Sequence, residues 1–440
     1  MNHSSTDNLH LMVFEDRSVL VKEDGTQQEF LEGTPSPEAR RRYQAILAGF
    51  QAGFLPNALE EARTATGFED IPEPHRQLID GLVEGITSEV GRALMGLTVL
   101  MLCVKCIEPG QSIRLHKAGR ATGSNFSWRE GIPMRPLDAR FVTPVLRRNQ
   151  LSSVNSYGVM MTRSLAENYP YSRVYKAGLR GPRRQWLDIV EALESSSLDP
   201  DLALQYLLVR MMQRSEAFQE CAARALQATA RLIDTAPTYS KIAGLILEHV
   251  RTSRHSARLL EVAMHSMMQC LEDELALQGP LRPLAQMRSA NKKAGNIGDI
   301  EVIEANAPEQ IIEAWDAKFG QPYLLDQLEE LAEKLHAHPE TEIAGFVIDS
   351  DPLLPRDVTE RRDEIAEEFG TDIRLMSFTT WAEMQVARRR EDPESFASKW
   401  LLAYAESLCL RRPDRAPIDE PAHQWVEDLT SLISGKLGPT

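Results

Sequence analysis

The sequence predicts a mixed α+β protein. A small mixed sheet covered by helices occupies the C-terminal part, behind a long helical and loop-rich N-terminal half. Three observations predict this. Apolar residues recur at three- and four-residue spacing through much of the first 275 positions. From residue 300 the pattern changes to short strand-like runs alternating with helical ones, in the order β-β-α-β-α-β. The later strands are apolar without interruption, as strands covered on both faces are. A chain of 440 residues is long enough for two or three domains.

Taken in order, residues 11–32 read as a short hairpin, with Met12-Val13-Phe14 and Val19-Leu20-Val21 separated by charges. Residues 37–107 are expected to be helical, with Tyr43, Ile46, Leu47 and Phe50 on one face. The apolar run 93–103 is too short to span a bilayer and reads as a buried helix. Residues 111–187, rich in Gly, Pro, Ser, Asn and aromatics, suggest short strands and loops. Helix returns over 183–275, where Ile242, Leu245, Ile246 and Val250 form a stripe continued by Leu259, Leu260 and Ala263. After Gly279-Pro280 come strands at 300–304 and 311–319, joined by Ala305-Asn306-Ala307-Pro308. A helix at 323–335, a buried strand at 342–348, a helix at 357–369 and a strand at 372–378 follow, then mostly helix. The expected regions are therefore 1–110 (mainly helical), 111–187 (basic), 188–280 (helical) and 281–440 (sheet core with C-terminal helices).

The formal net charge of −15 argues, as a total, against a nucleic-acid partner, but the charge is segregated. Residues 111–187 hold fourteen Lys and Arg against Glu130, Asp138 and Glu167, a local charge of +11 that leaves −26 for the rest. Residues 275–298 carry Arg282, Arg288, Lys292 and Lys293 and no acid. The bland alternative is a basic face paired with the protein's own acids. Five cysteines and a polar N-terminus without a secretory leader suit a reducing cytoplasm and no membrane. Cys103 and Cys106 form a lone C-x-x-C, expected to be core thiols on one helical turn. No Gly-rich phosphate loop ending in Gly-Lys-Ser/Thr occurs, which argues against an ATP-driven motor.

The chemistry is concentrated in the two strands after Gly298. Alternation puts Asp299 and Glu301 on one face of the first and Asp316 and Lys318 on one face of the second. A hairpin between them would gather two carboxylates and an ammonium at one end of a sheet. Two close carboxylates repel unless a cation lies between them, and Mg²⁺ takes oxygen ligands. Such a site suits metal-assisted phosphodiester hydrolysis. D-x-K alone is weak evidence, and a surface-charged hairpin would match it. The upstream Asp, the apolar strand and the acid-free run reduce that alternative. Asp349-Ser350-Asp351 reads as turn and cap residues, and His116 as a phosphate neighbour or solvated loop residue.

Gly298-Asp299-Ile300-Glu301-Val302 followed by an apolar strand ending Asp316-Ala317-Lys318 resembles the PD-(D/E)xK nuclease core. Upstream, the segments Arg135-Pro136-Leu137-Asp138-Ala139-Arg140-Phe141-Val142-Thr143-Pro144, Leu146-Arg147-Arg148-Asn149, Thr162-Arg163-Ser164-Leu165 and Tyr169-Pro170-Tyr171 are similar to type II restriction endonucleases, with the SacI-like family nearest. The resemblance spans about half the chain. It implies a restriction-endonuclease-like sheet, Mg²⁺ as cofactor, and hydrolysis of double-stranded DNA at a short palindromic sequence, leaving a 5′-phosphate and a 3′-hydroxyl. It implies Asp299 and Asp316 as metal-binding acids and Lys318 as the catalytic lysine, with Glu301, on the face of Asp299, a candidate auxiliary ligand beside its ordinary reading as a solvent-facing or paired surface acid. Gly298 replaces the motif's proline, and Asp316 its commoner glutamate.

On this reading residues 111–187 would dock and read DNA, with Arg147, Arg148, Asn149, Arg163, Arg173, Arg183 and Arg184 as candidates, together with Lys292 and Lys293. Tyr157, Tyr169, Tyr171, Tyr175 and Trp186 are interleaved with them. A palindromic target implies a homodimer, and a restriction enzyme implies a protecting DNA methyltransferase as genetic partner. The competing expectations are a repair or structure-selective nuclease with the same core, and a DNA-binding protein without catalysis.

Overall fold

In the computed structural model the chain is mixed α+β and helix-rich. The structure describes residues 9–86, 89–119, 126–152, 159–161, 163–254, 256–284, 296–320, 323–410 and 421–437. It divides into two compact units, Met1–Ala217 and Phe218–Thr440. The expected regions 1–110 and 111–187 both fall in the first unit and 281–440 in the second, while 188–280 is divided between them.

The first unit opens with an antiparallel meander, β1 (His10–Val13), β2 (Arg17–Val21) and β3 (Gln27–Leu31), in which His10 pairs with Val21 and Arg17 with Leu31. The hairpin expected at 11–32 thus has a third strand. Asp24 makes the β2–β3 turn, its Oδ1 accepting from the Thr26 amide at 2.9 Å. Helices α1 (Pro37–Gln51), α2 (Phe54–Ala62), α3 (Glu73–Glu84) and α4 (Glu89–Ile107) follow. Ser36 caps α1, its Oγ accepting from the Ala39 amide at 3.0 Å. Val90–Ile107 is long and apolar enough to cross a membrane, but 83% of it is buried in the protein. Cys103 and Cys106 sit on this helix as free thiols pushed up by burial, as the sequence suggests.

Short strands were expected between 111 and 187. Among the described residues that stretch is instead built of helical turns: α5 (Met134–Leu137), a π-turn at Asp138–Val142, α6 (Thr143–Arg148) and 3₁₀ turns. Pro144, in the first turn of α6, starts a helix rather than breaking a strand. The unit continues into α7 (Arg183–Glu194), and the boundary falls within α8 (Pro200–Ile233).

The second unit holds α9 (Tyr239–Thr252), α10 (Ser256–Asp273) and a four-stranded mixed sheet. The strands are β4 (Ile300–Glu304), β5 (Ala307–Lys318), β6 (Ile343–Ile348) and β7 (Asp372–Ser377), in spatial order β4-β5-β6-β7. β4 and β5 are antiparallel; β5, β6 and β7 are parallel, with α11 (Leu324–Leu335) and α12 (Arg356–Phe369) as crossovers. On one face Ala314, Ala344, Phe346 and Ile373 pack with Leu328 and Ile365 of these helices. On the other, Trp315 and Val347 join a core with α10, α13 (Phe378–Val386), α14 (Pro393–Cys409) and α15 (Ala422–Leu437). Leu281 makes an antiparallel bridge to Val302 on the outer side of β4.

Within that second core His249 is wholly buried, its Nδ1 2.7 Å from the Tyr404 hydroxyl and its Nε2 2.8 Å from the Trp425 carbonyl. Burial pushes the imidazole down to about 4, against the opposing pull of the Trp425 carbonyl and Asp428. An unfolded His titrates near 6.5, so this stabilisation is complete above that pH and is lost as the pH falls from there through about 4. The loss is roughly 3 kcal/mol. Urea titrations at pH 7 and 4.5 should show a smaller pH-induced change for His249→Gln than for the parent.

Candidate active site

The β4–β5 hairpin turns on two residues, Ala305 and Asn306, tighter than the four-residue link expected. Its register pairs Glu301 with Ala314 and Ile300 with Trp315, and the Asp299 amide donates to the Trp315 carbonyl at 2.9 Å. That register sets Asp299 beside Asp316. Asp299 Oδ2 accepts from the Ala317 amide at 3.0 Å, and the two carboxyl groups are hydrogen-bonded to each other. Lys318 Nζ lies 3.0 Å from Asp316 Oδ2 and 5.6 Å from the centre of the Phe346 ring. The three residues taken from the sequence as catalytic therefore meet at the end of two adjacent strands.

Asp316 is buried and Asp299 half-buried. The Asp299 carboxyl is held well above the ordinary carboxylate range, first by burial, then by the charges of Glu261 and Asp316 and the hydrogen bond with Asp316. The Ala317 amide opposes this. Burial and the neighbouring acids thus favour the protonated form of Asp299. All the donors here are carboxylate oxygens and their negative charge is concentrated, so the residues fit a hard divalent cation that would take the proton's place.

Glu261 was not among the sequence candidates. It projects from α10 within electrostatic reach of Asp299, and Arg258, itself buried, donates to its Oε2. The available signal was an acid inside the apolar run Leu259-Leu260-Glu261-Val262-Ala263. Glu301 is paired with Arg282, as one expectation had it, but is buried rather than at the surface. It is only 2% exposed, and it accepts from the Ile297 amide at 2.7 Å, the Gly298 amide at 3.2 Å and Arg282 at 2.5 Å. Its Oε1 braces the loop that delivers Asp299 and its Oε2 takes Arg282, so it is a buried, paired acid. Asp349 is a turn residue, as expected, accepting from the Gly320 amide at 2.7 Å.

The nucleic-acid candidates separate into two groups. Arg148 and Arg184 are exposed and Arg147 is half-buried. Arg173 is committed to Asp188 at 2.6 Å and Glu23 at 3.3 Å, and Arg183 donates to the Tyr175 carbonyl. Asn149 ends α6, its Nδ2 donating to the Val145 carbonyl at 2.9 Å. Arg163 begins a 3₁₀ turn. Lys292, Lys293 and Tyr157 lie outside the described residues.

Part of the +11 region is internal wiring. Arg114 is fully buried, 2.6 Å from Glu191 and 2.8 Å from the Tyr171 carbonyl. Its acidic partners, like Asp188, lie just past residue 187, so a window ending there overstates the unpaired charge. Tyr171, Tyr175 and Trp186 form a buried edge-to-face cluster rather than a stacking surface. His116, expected beside phosphate or in a solvated loop, is buried and stacked on Tyr171 at 4.3 Å; burial pushes it down to about 3, so the ring is neutral.

No family model matches the chain, and no curated protein matches it.

Proposed function

We propose that the protein is a Mg²⁺-dependent type II restriction endonuclease with a PD-(D/E)xK core, hydrolysing double-stranded DNA at a short palindromic sequence. The observation that carries this reading is the meeting of Asp299, Asp316 and Lys318 at one end of β4 and β5, with the Asp299 carboxyl held high. The order of elements supports it too. β4, β5, α11, β6, α12 and β7 follow one another as β-β-α-β-α-β, the order expected of a restriction-endonuclease-like sheet.

Asp299 and Asp316 would hold the metal, with Glu261 adding negative charge from α10. When bound, Mg²⁺ supplies a more acidic water and offsets charge developing on the phosphodiester. Lys318 is placed to orient the attacking water and to stabilise negative charge on a phosphate oxygen. Arg258 holds Glu261 in position. The bond formed is water oxygen to phosphorus and the bond broken is phosphorus to the 3′-oxygen, which leaves with a proton. The exposed arginines Arg148 and Arg184, with Arg147, would contact phosphates. A homodimer on a palindrome, a partner methyltransferase gene and a cytoplasmic location belong to the same proposal.

The test is cleavage of supercoiled plasmid and a natural viral genome by purified protein with Mg²⁺ and with EDTA. Fragments of fixed length, formed only with the metal, are the expected result. Heterogeneous nicking would favour a repair or structure-selective nuclease. A salt-sensitive gel shift without cutting under Mg²⁺ or Mn²⁺ would overturn the catalytic reading.

A further inference from the structure

A second set of metal-ligating groups lies in the Phe218–Thr440 unit, on helices that the nuclease reading does not use. Cys221 is on α8; His423 and Glu427 are one turn apart at the start of α15. The Cys221 Sγ, a His423 ring nitrogen and a Glu427 oxygen all lie within 4.8 Å of one another, and His423 Nε2 is 3.2 Å from Glu427 Oε1. Tetrahedral zinc, with bonds of about 2.0–2.3 Å, holds its ligand atoms roughly 3.3–3.8 Å apart. The set therefore needs about 1 Å of tightening to close round an ion.

We propose that Cys221, His423 and Glu427 bind a structural zinc ion that fastens α15 to α8. Thiolate, imidazole and carboxylate together select zinc over Mg²⁺, so excess Mg²⁺ would not displace the ion from this site. The thiolate and the carboxylate balance the ion's two charges. Cys221 is 2% exposed, whereas the His423 and Glu427 side chains are 31% and 49% exposed. The thiol is thus covered while an ion can enter from solvent past the other two ligands. The Phe218 ring meets the His423 ring edge to face at 6.2 Å and limits its rotation. Three protein ligands leave the fourth position to a water molecule.

The experiment uses the full chain, stripped with a chelator, dialysed and titrated with Zn²⁺ and, as a spectroscopic reporter, Co²⁺. One zinc per chain is expected, equally in the parent and in an Asp299→Ala/Asp316→Ala variant, with a rise in thermal midpoint and a thiolate-to-cobalt charge-transfer band. Cys221→Ser and His423→Ala should weaken zinc binding by at least ~100-fold, since loss of an outer-shell partner alone costs 10- to 100-fold. His423 is partly exposed, so His423→Ala tests the site even if the buried Cys221 change unfolds the protein. No zinc uptake, or uptake by His423→Ala matching the parent, would overturn the proposal. Loss of the extra zinc in Asp299→Ala/Asp316→Ala would do so as well.

Discussion

Asp316→Asn and Lys318→Met should each lower Mg²⁺-dependent DNA cleavage by about 100- to 10,000-fold, the range for losing a positioned proton-transfer or charge-stabilising group. Stability should move differently. Asp316 is buried against Asp299, which is held high partly by Asp316's charge. An asparagine keeps the volume and removes a charge that helps hold Asp299 high, so the thermal midpoint should stay level or rise, as happens when a strained functional site is relieved. The Lys318 side chain is 23% exposed, and its 3.0 Å contact with Asp316 is at the rim, where an ion pair contributes little. Lys318→Met should therefore fold and melt like the parent. Cleavage is measured on plasmid, with binding of an uncut duplex in Ca²⁺ as the control. Parent-level cutting by either variant would remove the proposed site.

Much of this site is legible in the sequence because strand alternation is rigid. Once 299–302 and 311–318 are read as neighbouring strands, the period of two joins Asp299 to Glu301 and Asp316 to Lys318, and the hairpin register then puts both pairs on one face. What alternation cannot supply is the loop at 296–298, whose amides turn back onto Glu301 and bury it. Glu261 was missed for a related reason. Helical periodicity marks Leu259, Leu260 and Ala263 as core, but which sheet edge the acid beside them reaches depends on how α10 packs, a contact across some forty positions of chain.

The basic region was the least legible. Charge counted along the chain treats Arg114 and Arg184 alike, yet one is fully buried against Glu191 and the other has a side chain 92% exposed. Helix α7 brings Asp188, Glu191 and Glu194 back onto the residues before it, so neutralisation occurs between segments that a linear window separates. The short strands expected there failed similarly. Proline-rich composition records that regular strands are broken but does not say that single helical turns take their place.

Gly298 occupies the position where the motif it resembles carries proline, and restoring that proline should be harmful. A Cβ on residue 298 would lie 2.6 Å from the Trp315 carbonyl oxygen and 2.8 Å from its carbon, both backbone atoms. Trp315 cannot give way easily. It is 1% exposed, its Nε1 donates to Glu313 at 2.7 Å, and its ring meets Trp381 edge to face at 6.2 Å. Relief must therefore come from opening β4 away from β5, which breaks the Asp299 amide bond to the Trp315 carbonyl and displaces Asp299 from Asp316. Proline would also delete the amide that donates to Glu301 at 3.2 Å, leaving a buried carboxylate with one partner fewer. Gly298→Ala should cost about 1–3 kcal/mol, the usual range for overpacking, and Gly298→Pro more. Both should lose cleavage along with stability, unlike Asp316→Asn, which should lose cleavage alone. Gly435→Ala is the matched control: it lies in α15 with nothing within 4 Å of the added carbon, and should be neutral or slightly stabilising. Thermal melts and plasmid cleavage on the three variants separate these outcomes. A Gly298→Pro chain that melts and cuts like the parent would mean that β4 does not pack this closely on Trp315.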